Sequence, residues 1–65
     1  QKLAEDAFRR ACELDPWNAE YRVALADFYK EQGLEIRARK QYEKALEILP
    51  SHPAALAGAK GRRGR

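Results

Sequence analysis

Few side chains in this 65-residue chain could attack, coordinate or shuttle a proton. There is one cysteine, Cys12, and one histidine, His52. A nucleophile needs a base within hydrogen-bond reach, and a metal needs several donors at short spacing. Cys12 and His52 stand isolated in unrelated stretches, so neither requirement is met. Ser51 stands where a helix begins and reads as a cap, not a nucleophile. The ten carboxylates are interspersed with cations, as in Arg39, Glu43 and Glu47 at four-residue steps. Such pairs are surface patterning worth a few tenths of a kcal/mol. No glycine-rich phosphate loop follows a strand, because there is no strand signal. No catalytic residue, cofactor or metal site is therefore expected, and the chain does not read as an enzyme.

Size and charge bound the remaining classes. A chain this short forms at most one small domain and buries only about 60% of its unfolded surface. It is 45% hydrophobic and 35% charged, which is a soluble globular composition. No apolar run reaches the roughly 18–20 residues of a membrane span. A lone cysteine cannot form an intrachain disulfide, and small secreted chains usually need such staples, so a reducing, cytoplasmic setting is expected. The chain opens at Gln1 with no signal-peptide pattern and reads as a piece of a longer protein. Nine Lys/Arg and ten Asp/Glu in residues 1–59 sum to −1, and Lys60, Arg62, Arg63 and Arg65 add +4 to give the net +3. The body is near neutral, and residues 60–65 read as a basic flexible tail. Four charges without an aromatic make a weak nucleic-acid signal. Arg37, Arg39, Lys40 and Lys44 add little to it, because Glu35, Glu43 and Glu47 lie among them.

Helices must position whatever these residues do. Leu3, Ala4, Ala7, Phe8, Ala11 and Leu14 recur at three- and four-residue steps, predicting a helix over 1–15 that Pro16 stops. Asn18 is a good N-cap for a second helix over 18–32, with Tyr21, Ala24, Leu25, Phe28 and Tyr29 as its stripe. Gly33 fits the positive-φ position after it. A third helix over 34–48 carries Leu34, Ala38, Tyr42, Ala45, Leu46 and Leu49 and ends before Pro50. Pro53 suits the first position of a weak fourth helix over 53–59.

The chain also repeats itself. An offset of 34 residues lays Ala4 on Ala38, Phe8 on Tyr42, Ala11 on Ala45, Glu13 on Glu47 and Pro16 on Pro50. Leu25, Ala26, Tyr29, Gly33, Ala38, Tyr42, Ala45 and Pro50 stand at the spacings of one tetratricopeptide repeat over 19–52. Residues 1–18 resemble the second helix of a preceding repeat, and 53–59 the start of a following one. The small residues let helices approach, and Tyr29 and Tyr42 fill the space they leave. Arg22 stands where the family often has a large aromatic, and Trp17 is expected to cover that region from the turn.

The resemblance implies an all-α fold of antiparallel helix-turn-helix hairpins stacked as an α-solenoid. It also implies a protein–protein interaction module that holds a partner peptide or helix in a concave groove. The groove-facing positions would be Glu20, Val23, Asp27, Lys30 and Glu31, with Tyr21 and Phe28 as packing residues. Family members that clamp a terminal carboxylate use Lys and Asn or Arg on that face. Val23 and Asp27 stand there instead, and an acidic peptide end would meet a like charge. Two further readings stay open. One and a half to two repeats do not close a core, so Phe8 with Leu3 at one end, and Leu56 with Ala59 at the other, could pair between copies as a homo-oligomer. Nucleic-acid binding through the tail is the weaker alternative.

Overall fold

The three- and four-residue apolar steps are realised as four α-helices in the computed structural model, which describes residues 2–60. These are α1 (Lys2–Leu14), α2 (Ala19–Glu31), α3 (Glu35–Ile48) and α4 (Pro53–Lys60). There is no strand among the described residues. Each helix packs on the next in sequence, α1 on α2, α2 on α3 and α3 on α4. Short turns between the helices make each pair an antiparallel hairpin. The segment read as a basic tail lies outside the described residues, apart from Lys60, which ends α4.

The turns are set by local chemistry. Asn18 has extended φ and ψ, and its side-chain oxygen accepts from the Glu20 N–H at 2.9 Å. That satisfies one of the orphan donors of α2. At the other end Gly33 adopts φ +79°, the left-handed conformation in which a Cβ is costly. Its N–H bonds the Lys30 carbonyl at 3.0 Å, and the Leu34 N–H bonds that of Tyr29 at 2.9 Å. This double closure is a Schellman motif.

The start of α4 differs from expectation. Ser51 lies in the turn and makes no capping contact, whereas His52 caps the helix. The His52 Nδ1 accepts from the Ala55 N–H at 3.3 Å, and its carbonyl accepts from the Leu56 N–H at 2.9 Å. The cap falls at 52 because Pro53 is the first helical residue, with no N–H to satisfy.

Among the described residues, five of the ten buried apolar ones are alanines: Ala19, Ala26, Ala38, Ala45 and Ala55. They set the close approach of the helices, and Cys12, Val23, Leu25, Tyr29 and Tyr42 fill the rest. Phe8 and Phe28 meet between α1 and α2 with centroids 5.7 Å apart. Several residues of the expected stripes stay exposed, Ala7, Tyr21, Leu34 and Leu49 among them. Leu3 and Leu14 on α1 and Trp17 in the following turn are each at least 80% exposed. Among the described residues α1 packs chiefly on α2, which leaves Leu3 and Leu14 without cover. Trp17 does not cover Arg22; that guanidinium is instead held by Gln41 of α3 at 3.0 Å.

Candidate functional site

The five expected groove positions lie along α2, and the structure gives them different surroundings. Val23 is 6% exposed and belongs to the core. Little of its side chain is left for a partner, because a valine beside the alanines of the hairpin fills the space they leave. Glu20 lies in the first turn of α2 and its Oε2 is 2.8 Å from the His52 Nε2. Asp27 is on the surface, and its Oδ1 accepts from the Tyr42 hydroxyl of α3. Lys30 and Glu31 are exposed in the last turn of α2. Of the two expected packing residues, Phe28 is half-buried and Tyr21 keeps 39% of its surface.

With the Ala55 N–H donating to its Nδ1, the His52 ring presents Nε2 to the Glu20 carboxylate. Burial pushes the Tyr42 hydroxyl well above its ordinary value, and its hydrogen bond to Asp27 and that carboxylate's charge push the same way. Tyr29 is also raised, by burial first and then by its 2.7 Å hydrogen bond to Glu5. Arg9 and Arg37 partly oppose that shift. Both phenols stay protonated and serve as fixed donors. Among the described residues no group of three or more His, Cys, Asp or Glu could hold a metal ion.

A cleft of about 380 Å³ opens between α1, α2 and α3, with Arg9, Arg22, Arg37 and Lys40 on its walls. Its cations come from three helices, so no local run announces them. The 34-residue repeat could have pointed to it, since it makes α1 and α3 equivalent helices flanking α2.

The comparisons agree with this architecture. A family model described as tetratricopeptide repeat matches residues 19–52. The chain is also similar to a probable UDP-N-acetylglucosamine–peptide N-acetylglucosaminyltransferase SPINDLY of Solanum lycopersicum, and to the protein of the same name in Petunia hybrida. Each is 40% identical over 55 residues, covering 83% of this chain and 6% of the relative. The chain thus spans a small part of the length of these relatives. No solved structure gives a significant match. The repeat period, the alanine-mediated hairpins and the matched residues agree, and the chain belongs to the tetratricopeptide repeat family.

Proposed function

We propose that this chain is a non-enzymatic protein-interaction module, part of a repeat scaffold that holds a partner peptide or helix along α2. The observation that carries the reading is the anchoring of α2's surface carboxylates. Glu20 is tied to His52 of the α3–α4 turn and Asp27 to Tyr42 of α3. The face is therefore rigid before a partner arrives, which lowers the ordering cost of binding. Lys30 and Glu31 supply the charges a partner would meet, and Glu20 and Asp27 frame them. The relatives are named as glycosyltransferases, but the match covers about 6% of their length. What is carried over is the repeat's role as a binding surface, not the transfer reaction. No described helix is long and apolar enough to cross a membrane. A buried free thiol at Cys12 suits a reducing compartment such as the cytoplasm.

The test is capture of proteins from source-cell lysate on the immobilised chain, with nuclease present, read by mass spectrometry. The double variant Lys30→Glu, Glu31→Lys should lose the retained partners while its helical circular dichroism stays unchanged. Equal retention by the variant contradicts the assignment of this face. Retention that vanishes with nuclease alone moves the function to the basic tail.

A second reading, head-to-tail self-association, is favoured by a separate observation. In α3 the positions Ala38, Ala45 and Ile48 are buried or half-buried. Their equivalents Ala4, Ala11 and Leu14 in α1 are each more exposed. Among the described residues no helix packs before α1 as α2 does before α3, and none packs after α4 as α3 does after α2. The α4 of one copy and the α1 of another would complete a hairpin. Side chains fit that pairing: Arg22 and Gln41 bond across α2 and α3 at 3.0 Å, and their equivalents are Leu56 and Ala7. A polar pair inside the chain is matched by an apolar pair at its ends. Such a contact is heterologous and extends into open chains. Sedimentation should show mass rising with concentration, and Leu56→Lys should return a monomer. A concentration-independent monomer for the unaltered chain removes this reading.

A further inference from the structure

The cleft between α1, α2 and α3 lies away from the surface positions of α2 used above, and its chemistry is different. Its floor includes Leu25, which is 2% exposed, and the buried Tyr29. Its volume of about 380 Å³ falls within the ordinary range of ligand clefts, about 300–1,000 Å³. Two of its guanidinium groups are held by named contacts. Arg22 donates one N–H to the Gln41 Oε1 at 3.0 Å, and Arg37 lies over the Tyr29 ring 5.9 Å from its centre. Each retains further N–H donors.

The acids of this region do not neutralise it. Glu5 offers one oxygen to three groups: the Tyr29 hydroxyl at 2.7 Å, Arg9 at 3.6 Å and Arg37 at 4.0 Å. The two ion pairs are long and exposed, hence weak. Glu13 is the one carboxylate on the cleft wall. Arg9, Arg22, Arg37 and Lys40 therefore leave a surplus of two positive charges after Glu5 and Glu13 are counted.

We propose that this cleft is a second binding site, which takes a carboxylate-rich segment of a partner protein. Guanidinium forks match carboxylates two bonds at a time, and the surplus positive charge draws acidic side chains to the cleft. A nucleic acid fits less well. Base binding wants an open aromatic face, whereas Tyr29 is buried and carries Arg37 over its ring. Glu5 and Glu13 would repel a continuous phosphate backbone but leave room for spaced side-chain carboxylates. The cleft has α1 and α3 as walls and α2 as floor.

The test is fluorescence anisotropy with the full chain and three labelled probes. These are a peptide of alternating Glu and Ser, the same peptide with Gln for Glu, and a single-stranded oligonucleotide. The acidic peptide should bind about tenfold or more tighter than its Gln counterpart, and more weakly as salt rises from about 50 to 200 mM. Lys40→Glu should weaken it about tenfold, and the milder pair Arg9→Gln, Lys40→Gln should do the same in part. All are exposed changes that leave helicity intact. Replacing Arg62, Arg63 and Arg65 by Gln, or exchanging the charges of Lys30 and Glu31, should leave most of the affinity. The second of these controls separates this site from the α2 face. The proposal is overturned if the cleft variants bind the acidic peptide unchanged, if affinity is lost only with the tail arginines, or if the oligonucleotide binds more tightly than the peptide.

Discussion

A buried phenol and a surface carboxylate make the most informative residue pair in the molecule. Tyr42 is buried against α4, yet its hydroxyl reaches Asp27 on the α2 surface. Removing that hydroxyl by Tyr42→Phe should cost about 1 kcal/mol, since Asp27 can turn to water once its donor is gone. Chemical denaturation would show it. The pH dependence has a definite sign. The unfolded phenol ionises near pH 10, while the folded one holds its proton to higher pH. Its stability contribution is therefore complete below about pH 10 and is lost as pH rises above that value. Tyr42→Phe should flatten that part of the stability profile, and an unchanged alkaline slope would contradict the assignment. Tyr42 was legible in the sequence as a core aromatic, from its spacing to Ala38 and Ala45. Its bond to Asp27 was not, because the partner lies fifteen residues away on another helix.

Helix ends explain what could and could not be read at the next scale. Asn18 and Gly33 do what their types require, because capping and positive φ are local properties of the chain. The cap of α4 was harder to read. Serine is the commoner cap, but Pro53 fixes the helix start and leaves the position to His52. Two glycines give contrasting predictions. Gly33→Ala meets no atom within 4 Å yet must hold φ +79°, so it should cost about 1–2 kcal/mol through the backbone alone. Gly58 is in a helix, where alanine is ordinarily favoured, but a Cβ there would fall on the Tyr42 ring. Gly58→Ala should therefore destabilise, by about 1–3 kcal/mol, against the propensity trend. Thermal melts of both variants check this; a stabilised Gly58→Ala would mean that α4 does not pack on Tyr42. Likewise Ala26→Leu, at a position with no exposed surface, should overpack the α2–α3 hairpin by a similar amount.

The described residues form a thin body, 34 × 25 × 13 Å across their Cα atoms, with alanine at half of its buried apolar positions. Hairpin stacking was legible because the 34-residue period states it directly. Site residues were less so. Glu20, Asp27, Lys30 and Glu31 were singled out by the family resemblance, not by their spacing. Whether Val23 belongs with them or to the core depends on how close α3 comes, which the alanines of both helices decide. The basic cleft needed the fold outright, since Arg9 and Lys40 are brought together only when α1 and α3 flank α2. We propose that the exposed end of α2 receives a protein partner. Amide chemical-shift mapping of the labelled chain, titrated with a partner segment recovered by lysate capture, addresses it most directly. Shifts should concentrate at Asp27, Lys30, Glu31 and the Gly33 turn, with the buried amides of Ala26 and Ala45 little changed. Shifts confined to the open faces of α1 and α4, with α2 silent, would contradict it.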